Sequence, residues 1–265
     1  CRKPTGGSDG DPDSFSIIDK LSINTPLNRP QLLLLTGDQI YADDVSGILL
    51  FLLNDTAKLL LGHSEDIIIP PGYNSNRLSN ILNSYIIGGR QDLMLDIGFT
   101  SGEAAHHLIL LEEFFCMYLF VWSDVLWPKE LPAFKDITGL EEKIEYFEDR
   151  GDKGWKKVEK YQDNVITYHD EIKLLNIFKS GLGAVRRILA NTITYMIHDD
   201  HEVTDDLFFR KYWCDKTLKE NTLSRQVIRN GLTAYAIFQG WGNNPDNIIF
   251  KDADNKKNIL NCVQT

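Results

Sequence analysis

Two short apolar runs, each followed at once by an acidic cluster, constrain the fold of this 265-residue chain more than any other feature. The first run, LLLL at 32–35, leads into GDQIYADD at 37–44, and the second, at 192–197, leads into HDDHE at 198–202. A brief aliphatic run bounded by turn residues predicts a fully buried strand inside a parallel sheet, and the β-branched and aromatic second run predicts another strand. Because ligands bind outside the carboxyl ends of such strands, we expect both clusters to converge on one metal site.

The sequence between these strands has a mainly helical pattern, so the expected fold class is α/β. We expect 46–189 to be a mainly helical insertion that lies over the sheet. The run 141–160 carries many charges of both signs, which is typical of a solvated helix face. Helical periodicity predicts helices at 13–21, 48–61, 103–122, 140–160, up to about 187, and 224–238.

Composition excludes several classes of protein. A hydrophobic content of 43% allows a sizeable core, and a formal net charge of -10 argues against a nucleic-acid-binding surface and fits an acidic cleft for cations. The four cysteines are scattered without a CxxC pair, so neither a disulfide framework nor a zinc finger is indicated. No apolar stretch approaches the roughly 20 residues that a membrane-spanning helix needs. Because the first residue is Cys1, we expect the true N-terminus to be missing; the compartment stays open, with the cytoplasm slightly favoured, and the oligomeric state stays unknown.

The residues of the two clusters suit hydrolysis of a phosphoester. Two metal ions roughly 3.5–4 Å apart activate water and neutralise phosphate oxygens, and Asp38 at a strand end is the natural bridging carboxylate. The Tyr41 phenolate would suit a ferric ion, and Asp200 offers oxygen to a second ion. His201 would protonate or stabilise the leaving oxygen, and Glu202 would orient its imidazole.

These blocks also carry a resemblance to a known family. GDQIYAD at 37–43 and DDHE at 199–202 resemble the two signature blocks of the PhoD-like (alkaline phosphatase D) metallophosphatases, which belong to the calcineurin-like superfamily. CRKP at 1–4, the tryptophan-containing run 122–128 and the run 234–243 resemble the same family. The resemblance implies a metal-dependent phosphatase or phosphodiesterase that uses a metal-bound hydroxide at a dinuclear site on a small phosphoester substrate.

The resemblance also implies a role for each matching residue. Cys1 and Tyr41 would bind a ferric ion, and Asp38 would bridge to a second ion, calcium or another divalent cation. Asp200 would bind that second ion in the place where the wider superfamily has asparagine, and His201 would act at the leaving group. The implied fold is a calcineurin-like β-sandwich over 1–265, partial because no histidine follows His201 to supply the family's later ligands.

Several alternatives stay open at this point. The chain could be a non-catalytic metal-binding or protein-interaction relative, or a hydrolase of a non-phosphate ester. The run 199–202 is also a sound helix N-terminus with Asp caps. His198, where the family usually has an aromatic residue, is either an extra polar group beside the site or a neutral replacement. Other residues have two readings each, as cation or phosphate contacts or as ordinary surface charges: Asp43, Asp44, Asp205, Asp206, Arg90, Arg186 and Arg187.

Overall fold

A computed structural model describes residues 3–5, 14–25, 27, 29–86, 88–151, 155–205, 207 and 210–244. The fold is mixed α/β, as predicted. The helices are α1 (Phe15–Asn24), α2 (Gly47–Leu61), α3 (Ser75–Leu82), α4 (Arg90–Asp96), α5 (Leu111–Trp122), α6 (Phe134–Thr138), α7 (Val165–Asn191), α8 (Lys211–Cys214), α9 (Thr222–Tyr235) and α10 (Trp241–Asn243). The strands are β1 (Leu32–Leu35), β2 (Lys143–Asp149), β3 (Trp155–Tyr161) and β4 (Ile193–Met196).

The two predicted strands form and pair in parallel. The register between β1 and β4 runs from Leu32 opposite Ile193 to Leu35 opposite Met196. Helices α2 to α7 lie between them in the chain, which gives the long connection that a parallel pair requires. The carboxyl ends of both strands therefore meet at one edge of the sheet.

The prediction that these strands are fully buried is wrong. Leu34 is 58% exposed and Ile193 is 65% exposed, and burial alternates along both strands. The physical reason is that one face of this two-stranded sheet is left uncovered by the described part of the chain. Among the described residues each sheet has two strands, so the calcineurin-like β-sandwich stays a prediction.

A second prediction fails at 140–160, where the chain forms an antiparallel hairpin of β2 and β3 rather than a helix. Opposite charges pair diagonally across the hairpin, with Lys157 Nζ 2.6 Å from Glu145 Oε1. The ammonium of Lys143 lies 5.0 Å from the centre of the Tyr161 ring. Cross-strand pairs of this kind contribute to the stability of a two-stranded ribbon about as much as i,i+4 pairs contribute to the stability of a helix. The residues of this run whose burial is described are mostly exposed to solvent, as predicted.

The core lies between the long helices. Helix α2 packs against α5 and α7, and α5 packs against α9. Helix α2 begins at the cap Ser46, whose hydroxyl accepts from the Leu49 amide at 3.1 Å, and it ends at Gly62 in the left-handed region, where φ is 69°.

The helix predicted at 103–122 is divided into two parts. A short 3₁₀ helix, Ala104–His106, comes first, and α5 starts only at Leu111. The carboxylate of Glu113 accepts from the amides of Ile109 and Leu110, which holds the segment before α5 out of the helix. None of the helices in the described ranges has the length and apolar character that crossing a membrane requires.

Candidate functional site

The acidic cluster after β4 forms a compact turn. A 3₁₀ helix spans Asp200–Glu202, and the Asp199 carboxylate caps it by accepting from the Asp200 amide at 3.2 Å. The cluster is thus a helix N-terminus as well as a candidate site. Helix α9 packs against this turn at Gly231. A Cβ atom added at this position would lie 3.0 Å from the Glu202 carbonyl oxygen and 2.9 Å from a methyl group of Val203. Glycine therefore allows α9 to approach the turn closely.

Glu202 joins the two strand-end loops and does not contact the His201 imidazole, so the orienting role predicted for it is wrong. Its side chain is fully buried. One carboxylate oxygen accepts from the Gln39 amide at 2.6 Å, and the other accepts from the Asp199 amide at 2.7 Å. Burial raises the pKa of Glu202 to about 7, although these amides act in the opposite direction.

Backbone hydrogen bonds complete the junction. The Ala42 amide donates to the His201 carbonyl at 2.8 Å, and the Ala42 carbonyl accepts from the Leu108 amide at 2.6 Å. The loop after β1 is therefore held on one side by the turn after β4 and on the other by the segment before α5. These hydrogen bonds hold the backbone of the loop in place at Ala42.

This junction brings three of the predicted site residues together. One ligand atom each of Asp38, Asp200 and His201 lies within 4.8 Å of the other two. The Asp38 and Asp200 carboxylates offer oxygen ligands that fit a bound cation, and the His201 imidazole lies beside them. Cys1 lies outside the described residues.

Tyr41 lies at the same place. Its hydroxyl hydrogen-bonds Asp38, and its ring lies 4.5 Å, centroid to centroid, from the His201 ring at an interplanar angle of 38°. Burial raises the pKa of Tyr41 above its ordinary value, and the hydrogen bond and charge of Asp38 add to this. Ionisation of this phenol would therefore need a cation to offset the neighbouring carboxylates.

The partner of the His201 imidazole is Asp43, a pairing that the sequence reasoning missed. Asp43 Oδ1 lies 2.7 Å from His201 Nδ1, and the Asp43 side chain is almost fully buried. Burial lowers the pKa of His201, but the hydrogen bond and charge of Asp43 outweigh it and raise the pKa to about 9. Burial likewise raises the pKa of Asp43, and the contacts with His201 and others lower it to about 2. The signal available in the sequence was an aspartate five positions after Asp38 in the same loop.

The other acidic candidates have different environments. Asp44 forms an ion pair with Lys3, and Asp205 Oδ1 lies 3.8 Å from His201 Nε2. Asp206 lies outside the described residues. His198 is half-buried with its ring edge-on to Tyr235 at 5.0 Å, and burial lowers its pKa.

The arginines considered for phosphate contacts form ion pairs instead. The buried Arg90 guanidinium makes two 2.8 Å hydrogen bonds to the Glu113 carboxylate. Arg186 pairs with Asp124 at 3.0 Å, and Arg187 pairs with Asp19 at 2.7 Å. The alternative reading as salt bridges therefore holds for all three.

Comparisons with family models, with curated proteins and with solved structures give no match to this chain.

Proposed function

We propose that this chain is a metal-dependent phosphoester hydrolase of the PhoD-like, calcineurin-like type. The observation that carries the proposal is the approach of Asp38, Asp200 and His201 within 4.8 Å at the carboxyl ends of β1 and β4. Polar groups that converge, half-buried, at the edge of a parallel sheet are costly for a scaffold and typical of a functional site.

The negative charge of the site favours the binding of a cation. Asp38 and Asp200 are acidic, so an anionic phosphoester would be repelled by the side chains alone. In the proposed site these two carboxylates hold the cation, and Tyr41 lies beside Asp38 as a further oxygen donor. A bound cation would lower the pKa of a water molecule and neutralise phosphate oxygens. Iron, together with calcium or another divalent cation, is the proposed content.

An ion pair near the start of the chain supports a metal-binding role for Cys1. Lys3 forms an ion pair with Asp44, in the same loop as Asp38 and Tyr41. Cys1 precedes Lys3 by two positions and is the residue to which the family resemblance gives a metal-binding role. We propose Cys1 as a further ligand of the ferric ion.

His201 is proposed to donate a proton to the leaving oxygen. Its Nδ1 is engaged by Asp43, which leaves Nε2 as the ring nitrogen for a substrate. General acid catalysis of this kind typically contributes about 10²–10⁴-fold to the rate. Replacing His201 with Ala is expected to slow turnover of a phosphoester by about this factor while the metal content stays largely intact.

Metal analysis with a visible spectrum tests the proposal. We expect iron in the purified chain, a tyrosinate-to-iron charge-transfer band that disappears in Tyr41→Phe, and loss of both metal and turnover in Asp38→Asn. Asp163→Asn is the matched control, because Asp163 is exposed and should leave both unchanged. Retained turnover in Asp38→Asn would contradict the assignment. Protein that stays metal-free after reconstitution would favour the non-catalytic alternative.

A further inference from the structure

A cavity of about 530 Å³ lies among the helices of the long connection between β1 and β4. Helix α3 and the segment 83–86 form one side of it, α6 forms another, and the loop 162–164 before α7 forms a third. Its described lining residues include none from the loops after β1 and β4. Cavities of roughly 300–1,000 Å³ are the size that holds small molecules. The cavity is therefore a candidate binding site separate from the metal site.

One wall of the cavity is apolar. Phe134 and Ile137 of α6 line it, together with Leu140 just after that helix and Ile86 opposite. The Phe134 ring is buried and is held edge-on by Tyr168, with 5.5 Å between the ring centroids. Leu140, by contrast, is 51% exposed. A preformed apolar wall that is partly open to solvent gains from covering by a ligand surface that carries C–H groups.

The facing wall is polar but uncharged. It carries the side-chain amides of Asn80, on α3, and of Gln162 and Asn164, in the loop before α7. Each amide offers both donors and an acceptor. Among the described lining residues Asp163 is the charged one, and its Oδ1 lies 3.8 Å from Lys160 Nζ. The wall is thus suited to hydrogen bonds with neutral groups rather than to a counter-charge for an ion.

Asn164 has an unusual backbone conformation for its position. It precedes α7 as the N-cap residue, yet its φ of 68° lies in the left-handed region and its side chain makes no capping hydrogen bond. Asparagine is one of the preferred N-cap residues when its backbone is extended. Here its amide is not used by the helix and lines the cavity instead. Sparsely populated backbone conformations of this kind cluster at ligand-binding positions.

We propose that this cavity binds a neutral sugar ring. A pyranose has a face of C–H groups, which would lie on the apolar wall of α6, and a rim of hydroxyl groups, which would exchange hydrogen bonds with the amide wall. A purely apolar ligand would leave the amides without partners, and a charged ligand would find no counter-charge on the walls. The binding is non-covalent and does not depend on the proposed hydrolysis.

Protein-observed NMR titration of the full chain tests the proposal. The probes are the methyl glycosides of glucose, galactose and mannose, and we expect at least one to bind with a Kd on the order of 1 mM, as suits a ligand of this size. The side-chain amide signals of Asn80 and Asn164 should move with the bound fraction. The methyl glycoside of glucuronic acid, which adds a carboxylate, and cyclohexanol, a ring with a single hydroxyl group, should each bind at least about tenfold more weakly.

Two substitutions locate the binding in the cavity. Asn80→Ala should weaken it by about 3–10-fold, because it removes one amide from the polar wall. The matched control is Asn76→Ala, the same change one turn earlier on the same helix at an exposed residue outside the lining, which should leave the Kd unchanged. Asn164→Gly should weaken binding to a similar extent while the fold persists, because glycine adopts a positive φ without steric cost.

Three results would overturn the proposal. The first is the absence of saturable shifts with all three methyl glycosides, which would leave the cavity a water-filled crevice. The second is binding of cyclohexanol as tight as that of the glycosides, since the amides would then contribute nothing. The third is a loss of affinity in Asn76→Ala equal to that in Asn80→Ala. Because none of these measurements uses metal content or turnover, failure of the phosphoester hydrolase assignment is separate from failure of this inference.

Discussion

A single buried side chain, Glu202, connects the ends of β1 and β4. Each of its carboxylate oxygens accepts from a backbone amide, that of Gln39 in one loop and that of Asp199 in the other. Backbone amides at such a junction need acceptors. Among the described residues, Glu202 is the side chain that accepts from the Gln39 and Asp199 amides. The position of the candidate site thus depends on a residue that does not itself contact the His201 imidazole.

Replacing Glu202 with Gln is expected to destabilise the fold by about 1–3 kcal/mol, because the amide group of Gln turns a donor toward a backbone N–H that needs an acceptor. Urea unfolding measures this change. The matched control is Glu220→Gln, the same chemical change at an exposed position, which should stay within about 0.5 kcal/mol of the parent. A stability loss in Glu202→Gln no larger than in the control would show that the carboxylate does not hold the two loops together.

At the scale of elements, the buried Arg90–Glu113 pair holds α4, α5 and the segment between them. Besides its two bonds to Glu113, the Arg90 guanidinium donates to the His107 carbonyl at 2.7 Å and to the Leu82 carbonyl at 3.0 Å. The segment before α5 in turn donates, through the Leu108 amide, to the loop after β1. The Arg90–Glu113 pair therefore helps to hold the loop after β1 in place through the segment before α5.

Glu113→Gln should destabilise the protein by about 3–5 kcal/mol, because it leaves the Arg90 charge buried without its counter-charge. The control is Glu145→Gln, which breaks the exposed pair with Lys157 and should cost no more than about 1 kcal/mol. Denaturant unfolding of the three proteins compares the two losses. Similar small losses in both variants would mean that the buried pair contributes no more than a surface pair.

For the molecule as a whole, the half-buried His106 and the buried His107 couple stability to pH. Burial, and then the charge of Arg90, lowers the pKa of His106 to about 4, and burial also lowers the pKa of His107. Between pH 4 and 6.5 the unfolded chain therefore binds a proton at His106 that the folded chain does not bind. The free energy of unfolding is therefore highest above pH 6.5, where His106 is neutral in both states. It decreases as the pH falls toward 4, because protonation of His106 favours the unfolded chain. Glu202, with its pKa raised to about 7, acts in the opposite sense over much of this range.

The difference between variants isolates the contribution of His106. From pH 7 to pH 5 the parent should lose about 1–2 kcal/mol of unfolding free energy relative to His106→Gln, since that variant has no group to protonate there. Urea unfolding at both pH values gives this difference. His63→Gln is the control, because His63 is exposed and its removal should leave the pH dependence as in the parent. Parallel pH curves for the parent and His106→Gln would rule out the coupling.

The sequence by itself determined the elements whose signals are local. The apolar runs at β1 and β4, the acidic residues directly after them and the cap at Asp199 follow from side-chain type and spacing within a few positions. The convergence of Asp38 with Asp200 and His201 was also predictable, because the carboxyl ends of parallel neighbours meet at one sheet edge. The hairpin of β2 and β3 was not, because alternating charges suit both a solvated helix face and a two-stranded ribbon.

Only the tertiary structure decided which polar groups bind one another across the site. Asp43 and His201 are 158 positions apart, and Gln39 and Glu202 are 163 apart. Several carboxylates in each cluster had the same local chemistry, so spacing could not select Asp43 as the partner of the imidazole or Glu202 as the tie between loops. Burial made the selection: a carboxylate shielded from water must find partners, and the packing of the two loops determined which partners were within hydrogen-bonding distance.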